Sequence, residues 1–185
     1  SPAPTDGRNM ATSFTARNAR VDLPKTVGAN RFRWDQTHEG PWDSDANRSF
    51  RGGPRVVPGM YEARLTVDGQ AITQSFNVLA DPRIKGKVTQ EDMVAQLTLS
   101  IDVTTVLDTA KKVVNKIQKQ RKEFAVLAKD GKSTDAQKAM DLRLQGIESQ
   151  LVTKEGAYEQ PMLVDQLNYL RQQLDQADQR PGRDL

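Results

Sequence analysis

One histidine, no cysteine and one short acidic run are what this chain offers to reactions that need a nucleophile, a base or a metal ligand. His38 stands in a polar loop with no G-x-S-x-G elbow near it, so a serine triad has no framework here. The absence of cysteine removes disulfides, zinc–thiolate sites and thiol nucleophiles together. Asp43-Ser44-Asp45-Ala46-Asn47 opens like a calcium loop, with oxygen side chains at alternate positions. Arg48 then occupies the position that needs glycine, and Pro54 the one that needs the closing bidentate glutamate. An Asx-rich turn is the simpler reading of that run. Trp34, Trp42 and Tyr61 are the right types for a platform under sugar rings. Trp34 alternates with charged residues and reads as core, whereas Trp42, beside Pro41, reads as the exposed contact. Asp35 is placed to accept backbone amides in the turn after Trp34. Lys111, Lys112, Lys116, Lys119 and Lys122 form a basic helix face, the pattern of a solvated surface or of a contact to phosphates. Asn47-Arg48-Ser49 matches a glycosylation sequon, relevant only in a secreted eukaryotic chain. The expectation is therefore no enzyme, no cofactor and no metal. Trp42, His38, Arg48, Phe50 and Arg51, all within residues 36–56, are the candidate contact residues.

Stepping outward, the residues that must position this loop are organised around 28–81. Two alternating runs, Met60 to Val67 and Ala71 to Leu79, flank Asp68-Gly69, the strongest short-range hairpin signal. Tyr61, Ala63, Leu65 and Val67 share one face with Ile72, Phe76 and Val78 on the second run. Phe32 and Trp34 alternate with Arg31, Arg33 and Asp35, which predicts another strand. Phe14, Ala16, Ala19, Val21 and Leu23 predict one or two more within 12–23, with Pro24 at the end. Pro58-Gly59 opens the hairpin. Half-buried antiparallel strands of this kind predict a small Ig-like β-sandwich over 12–82, after a linker at 1–11. The 21-residue loop 36–56 is long enough that it should be either functional or mobile.

From Thr89 the period changes to that of helices. Thr89-Gln90-Glu91-Asp92 is a capping-box start, and neither proline nor glycine follows until Gly131, so one helix of about forty residues is expected. Val94, Leu97 and Ile101 fall in one sector, and Val103, Val106, Ala110, Val113, Ile117 and Phe124 in the opposite one. The polar residues between them predict a change of buried face, or a kink, near 100–105. Ser133-Thr134-Asp135 caps a second helix with the stripe Ala136, Met140, Leu144, Ile147 and Leu151. Pro161 opens a third with Leu163, Leu167, Leu170 and Leu174, before Pro181-Gly182. The fold class is α+β: the sandwich, then an antiparallel three-helix bundle over 83–181 and a tail at 182–185. A hydrophobic share of 36% and a mean hydropathy of -0.68 suit long helices with wide wet faces. A net charge of +3 from 27 basic and 24 acidic residues is too balanced to imply nucleic acid. No run reaches the roughly 18–20 apolar residues of a membrane span. The first residue is Ser1 rather than Met, which leads us to expect a processed product or a fragment.

Gly28-x-Asn30-Arg31-Phe32-x-Trp34-Asp35, then Val57-Pro58-Gly59-x-Tyr61-x-x-x-Leu65-Thr66-Val67-Asp68-Gly69 and Asp81-Pro82-Arg83, carry a family likeness. They resemble the C-terminal region of large secreted bacterial proteins with sortilin-like or BNR-repeat β-propellers, often labelled glycosyl hydrolases. The strand pair is also similar to the Ig-like module of the flagellar hook-cap family. The likeness continues through Thr89-Gln90-Glu91-Asp92, Gln96-Leu97, Leu167-Asn168-Tyr169-Leu170 and Ala177 to Pro181. After Trp34-Asp35 the chain departs from it, with Gln36-Thr37-His38-Glu39 where that family continues in an apolar strand. The resemblance implies an exported bacterial accessory region, periplasmic or extracellular. It carries over no catalytic residue, because the chain has no propeller and no S-x-D-x-G-x-T-W box. The function expected is a non-catalytic structural or protein-interaction module within a larger assembly. The alternative is a carbohydrate-binding accessory module acting through loop 36–56.

Overall fold

The computed structural model describes residues 24–154, 156 and 160–182. The strands expected within 12–23, the linker at 1–11 and all of the tail but Gly182 lie outside the described residues. Strands β1 (Gly59–Val67) and β2 (Gln70–Val78) form an antiparallel hairpin, in register from Gly59 opposite Val78 to Val67 opposite Gln70. Asp68 and Gly69 both take positive φ, 49° and 80°, which makes the two-residue turn whose twist matches the strands it joins. The apolar face begins in an aromatic cluster. Trp34 lies 5.8 Å from Tyr61 and 5.9 Å from Phe76, the latter edge-on, with Tyr61 and Phe76 6.1 Å apart. Tyr61 Oη donates to the Val57 carbonyl at 2.6 Å, so the hydroxyl that burial would penalise is satisfied.

One expectation is corrected here. Residues 30–35 form no strand; among the described residues their contribution to the sheet is the Trp34 ring. Asn30 turns its amide onto the Thr26 and Gly28 carbonyls instead, and Gln36 adopts φ 60°, which breaks the extended path. The described sheet thus has two strands, and no second layer faces it among the described residues. Beyond the aromatic cluster Leu65 is 52% and Ile72 72% exposed, although they sit opposite each other on the apolar side.

Asp81 caps the 3-10 turn Pro82–Ile84 by accepting from Arg83 N, and its carboxylate takes the Arg83 guanidinium as well. Helix α1 (Gln90–Lys129) then runs forty residues, about 60 Å at 1.5 Å per residue. Its start is the expected capping box, with Thr89 and Asp92 exchanging side chain and amide. Helices α2 (Asp135–Leu151) and α3 (Leu163–Leu174) follow. Thr134 and Gln137 cap α2 in the same way.

Both shorter helices pack against α1, at successive levels, and barely touch each other. Arg121 holds the α2 level by reaching Asp141, at 3.0 Å, and Glu148. Gln96 holds the α3 end: its Nε2 donates to the Leu174 and Ala177 carbonyls and its Oε1 accepts from Gln179 N.

The buried seam of α1 is Leu97, Ser100, Val103, Thr104, Leu107, Ala110 and Ile117. The expected change of face holds in part, with Leu97 buried from the first sector and Val103, Ala110 and Ile117 from the second. Ser100 and Thr104 do not interrupt the seam; they are inside it. The Thr104 hydroxyl donates to the Ser100 carbonyl at 2.7 Å, so a small polar residue is buried without an orphaned group. Leu107, which the two-sector reading left out, is wholly buried, while Val106 and Val113 are exposed. The leucine seam of α3 turns inward along its length, with Leu163 exposed, Leu167 and Leu170 half-buried and Leu174 buried.

Candidate functional site

Residues 36–56 are neither structureless nor adrift. They fold back on themselves as an irregular ladder: Val56 N bonds Gln36 O, His38 N bonds Pro54 O, Gly40 N bonds Phe50 O, and Phe50 N bonds Pro41 O. The two arms touch at Gly40 and Gly53. A Cβ on Gly40 would stand 2.0 Å from the Arg51 carbonyl oxygen, and one on Gly53 2.1 Å from that of His38. Only glycine allows backbone to approach backbone this closely. At the tip, Asp43 Oδ1 accepts from Asp45 N and Asp45 Oδ1 from Asn47 N, two Asx turns in succession. The carboxylates that resembled the front of a calcium loop are therefore turned onto backbone amides. Among the described residues no group of three or more histidine, cysteine, aspartate or glutamate side chains is arranged to hold a metal ion.

The loop is fastened to the helices. Asp108 Oδ1 accepts from Trp42 N at 2.8 Å, while its Oδ2 pairs with Lys112 at 2.6 Å. Lys111 reaches Asp43 Oδ2 at 3.0 Å, and Arg171 of α3 donates to the Gly52 carbonyl. Burial works against the Asp43 charge. The Asp45 amide, Arg48 and Lys111 outweigh it and bring the carboxyl from 3.8 down to about 2. Two of the five lysines read as a free basic face are thus engaged within the chain. Lys116, Lys119 and Lys122 remain exposed.

Of the five candidate contact residues, the fold brings Trp42, Phe50 and Arg51 together around a cavity of 770 Å³, with Asp35, Glu39 and Ser44 on the same wall. Phe50 holds φ 63°, a left-handed backbone uncommon for a bulky residue. His38 and Arg48 are elsewhere. His38 is half-buried in the ladder, where burial lowers its pKa below 6.5. Arg48 faces solvent and pairs with Asp43 and Asp45. The imagined Trp34–Trp42–Tyr61 platform is split, since Trp34 and Tyr61 belong to the sheet. Pro58, singled out for the hairpin, also accepts from Gln90 Nε2 at 2.8 Å and so ties the hairpin to the start of α1.

A second cleft, of 490 Å³, opens where the hairpin base, the loop, the start of α1 and the chain after α3 meet. Val57, Val78, Met93 and Leu97 form apolar parts of its wall, and Asp175 borders it. Burial raises the Asp175 pKa, against the opposing pull of Arg171 and Arg55.

Sequence reasoning did not find Gly40, Gly53, Asp108 or Arg171, and it named Gln96 only within the family likeness. The only available signal was punctuation: Gly40-Pro41 at one end of the loop and Gly52-Gly53-Pro54 at the other mark two bends that face each other. Comparisons with protein-family models, curated proteins and solved structures find no match to this chain.

Proposed function

We propose that this chain is a non-catalytic, exported structural and protein-interaction module that works within a larger assembly. The observation that carries the reading is apolar surface left uncovered on both of its parts. On the helical arm Val106, Val113, Met140 and Ile147 are between 40% and 50% exposed, although each belongs to an apolar stripe. Two layers of helix leave the flanks of each stripe open, and a further helix or sheet from a partner closes them. The hairpin is the other uncovered part, since a two-stranded sheet is marginal by itself and needs a further layer. In this reading the hairpin is half of an Ig-like sandwich. What supports the non-catalytic reading is how the reactive side chains are used among the described residues. Asp43 and Asp45 serve backbone amides, Arg48 and Lys111, and the one histidine is held in the ladder. Export rests on the resemblance of residues 28–35, 57–69 and 81–83 to the accessory regions of secreted propeller proteins.

The test is to tag the chain in the cells that produce it, fractionate them, and size the native species. A particle well above 20.6 kDa in the exported fraction, dispersed by Val106→Asp with Val113→Asp, is the expected result. A cytoplasmic species that sizes as the 20.6 kDa chain overturns it.

A further inference from the structure

The cavity on loop 36–56 has properties that a protein-contact reading does not require. Its wall combines two half-buried aromatic rings, Trp42 and Phe50, with a guanidinium, carboxylates and a hydroxyl at Arg51, Glu39, Asp35 and Ser44. Its 770 Å³ falls in the range of small-molecule sites, which combine apolar area with a few directed polar groups. The charges nearly cancel. Asp35, Glu39 and Asp43 line it with Arg51, and Lys111 and Arg48 stand behind Asp43. An anionic ligand would meet the carboxylates and a cationic one the guanidinium, so neither sign is favoured. A neutral ligand rich in hydroxyls meets no such opposition.

A pyranose ring supplies the matching surfaces. One face is a patch of C–H groups that lies flat on an aromatic ring, and the rim carries adjacent hydroxyls that a guanidinium or carboxylate fork can bond in pairs. The site is also built before any ligand arrives. Gly40 and Gly53 press the arms together, Asp108 and Lys111 hold the tip to α1, and Arg171 holds Gly52. Such rigidity lowers the ordering cost of binding. Phe50 keeps a left-handed backbone with its N–H on Pro41 and its carbonyl on Gly40, a conformation of the strained kind that collects at binding sites.

We propose that this cavity binds a neutral oligosaccharide, with Trp42 and Phe50 stacking on pyranose faces and Arg51 and Ser44 bonding the hydroxyls. The proposal is independent of the assembly reading above, because it concerns a different surface.

The experiment uses the full chain with Trp34→Phe, so that Trp42 is its one tryptophan. Cellohexaose, chitohexaose, xylohexaose and mannohexaose are titrated by fluorescence and by calorimetry. At least one should change the emission and bind. Trp42→Ala and the surface variant Arg51→Ala, with calorimetry as the readout, should each weaken that binding by about tenfold or more at unchanged melting temperature. Arg51 is exposed, so its variant remains informative if a change at Trp42 disturbs the loop. No response to any of the four at millimolar concentration overturns the proposal, as does binding that both variants retain. Binding confined to an anionic polymer such as heparin, with steep salt dependence, also overturns it.

Discussion

At the scale of single residues, the loop depends on two glycines that need no unusual backbone angle, only empty space. Gly40→Ala puts a methyl group 2.0 Å from the Arg51 carbonyl oxygen, and backbone on both sides must move to admit it. We expect a loss of about 1–3 kcal/mol or more in denaturant unfolding, the range for overpacking a filled site. Gly146 is the opposite case: it lies inside α2 with nothing within 4 Å of a built Cβ. Gly146→Ala should add about 0.5–1 kcal/mol in the same assay, because alanine gives up less backbone freedom in a helix.

Asp43 supplies a pH dependence. Its carboxyl ionises near 2 in the fold against 3.8 ordinarily, so between those values the unfolded chain takes up a proton that the folded chain refuses. The stability it contributes is complete above pH 3.8 and is lost as the pH falls toward 2. Melting temperature followed over that window should fall less steeply in Asp43→Asn; an unchanged slope would show that Lys111 and Arg48 do not act on this charge.

At the scale of elements, the long helix shows how local rules and packing divide the work. Its ends were legible because caps are local: Thr89 with Asp92 at one end, and Lys129 before Asp130-Gly131 at the other. Which side it buries was not legible. Hydropathy ranks Val106 above Thr104, yet Thr104 is 7% exposed and Val106 50%. A threonine hydroxyl can be satisfied by its own helix, at the carbonyl four residues back, so a seam accepts it wherever the partner helix comes close. Two neighbouring positions test the seam. Leu107→Ala should cost about 2–5 kcal/mol, as for a fully enclosed leucine, and Val106→Ala about 0.5 kcal/mol or less. Comparable losses at both would mean that the helix is rotated from the orientation described.

At the scale of the whole molecule, the hairpin with its loop is joined to the helical arm by the Lys111–Asp43 ion pair and by polar side chains that reach backbone groups. Gln90 reaches Pro58, Asp108 reaches Trp42, Arg171 reaches Gly52, and Gln96 fixes the chain beyond α3. The loop between them is the keystone, since it bonds to α1 and α3 while its ends lead into the aromatic cluster at the sheet. Leu65 and Ile72 leave an apolar patch open on the hairpin, so Leu65→Ser with Ile72→Ser should lower the binding of a hydrophobic dye by the full chain. Equal dye binding by variant and parent would show that this face is covered.

By itself the sequence determined the pieces whose causes are local: the Asp68-Gly69 turn, the alternation of β1 and β2, the capping box of α1, the N-cap region of α2, and the Asx turns of 43–47. Each depends on residues a few positions apart, so spacing and side-chain chemistry are enough to settle it. It also pointed to the loop and to Trp42, Phe50 and Arg51, because a long polar segment carrying aromatic residues is unusual. Only the tertiary structure decided that His38 and Arg48 stand apart from those three, that Trp34 serves the sheet through its ring and not from a strand of its own, and that Lys111 is spent on Asp43. The fastening of the loop to α1 turns on pairs more than sixty residues apart, Trp42 with Asp108 and Asp43 with Lys111. A hydrogen bond of that kind leaves no period or motif behind, because what creates it is the meeting of two surfaces and not the neighbourhood of either residue along the chain.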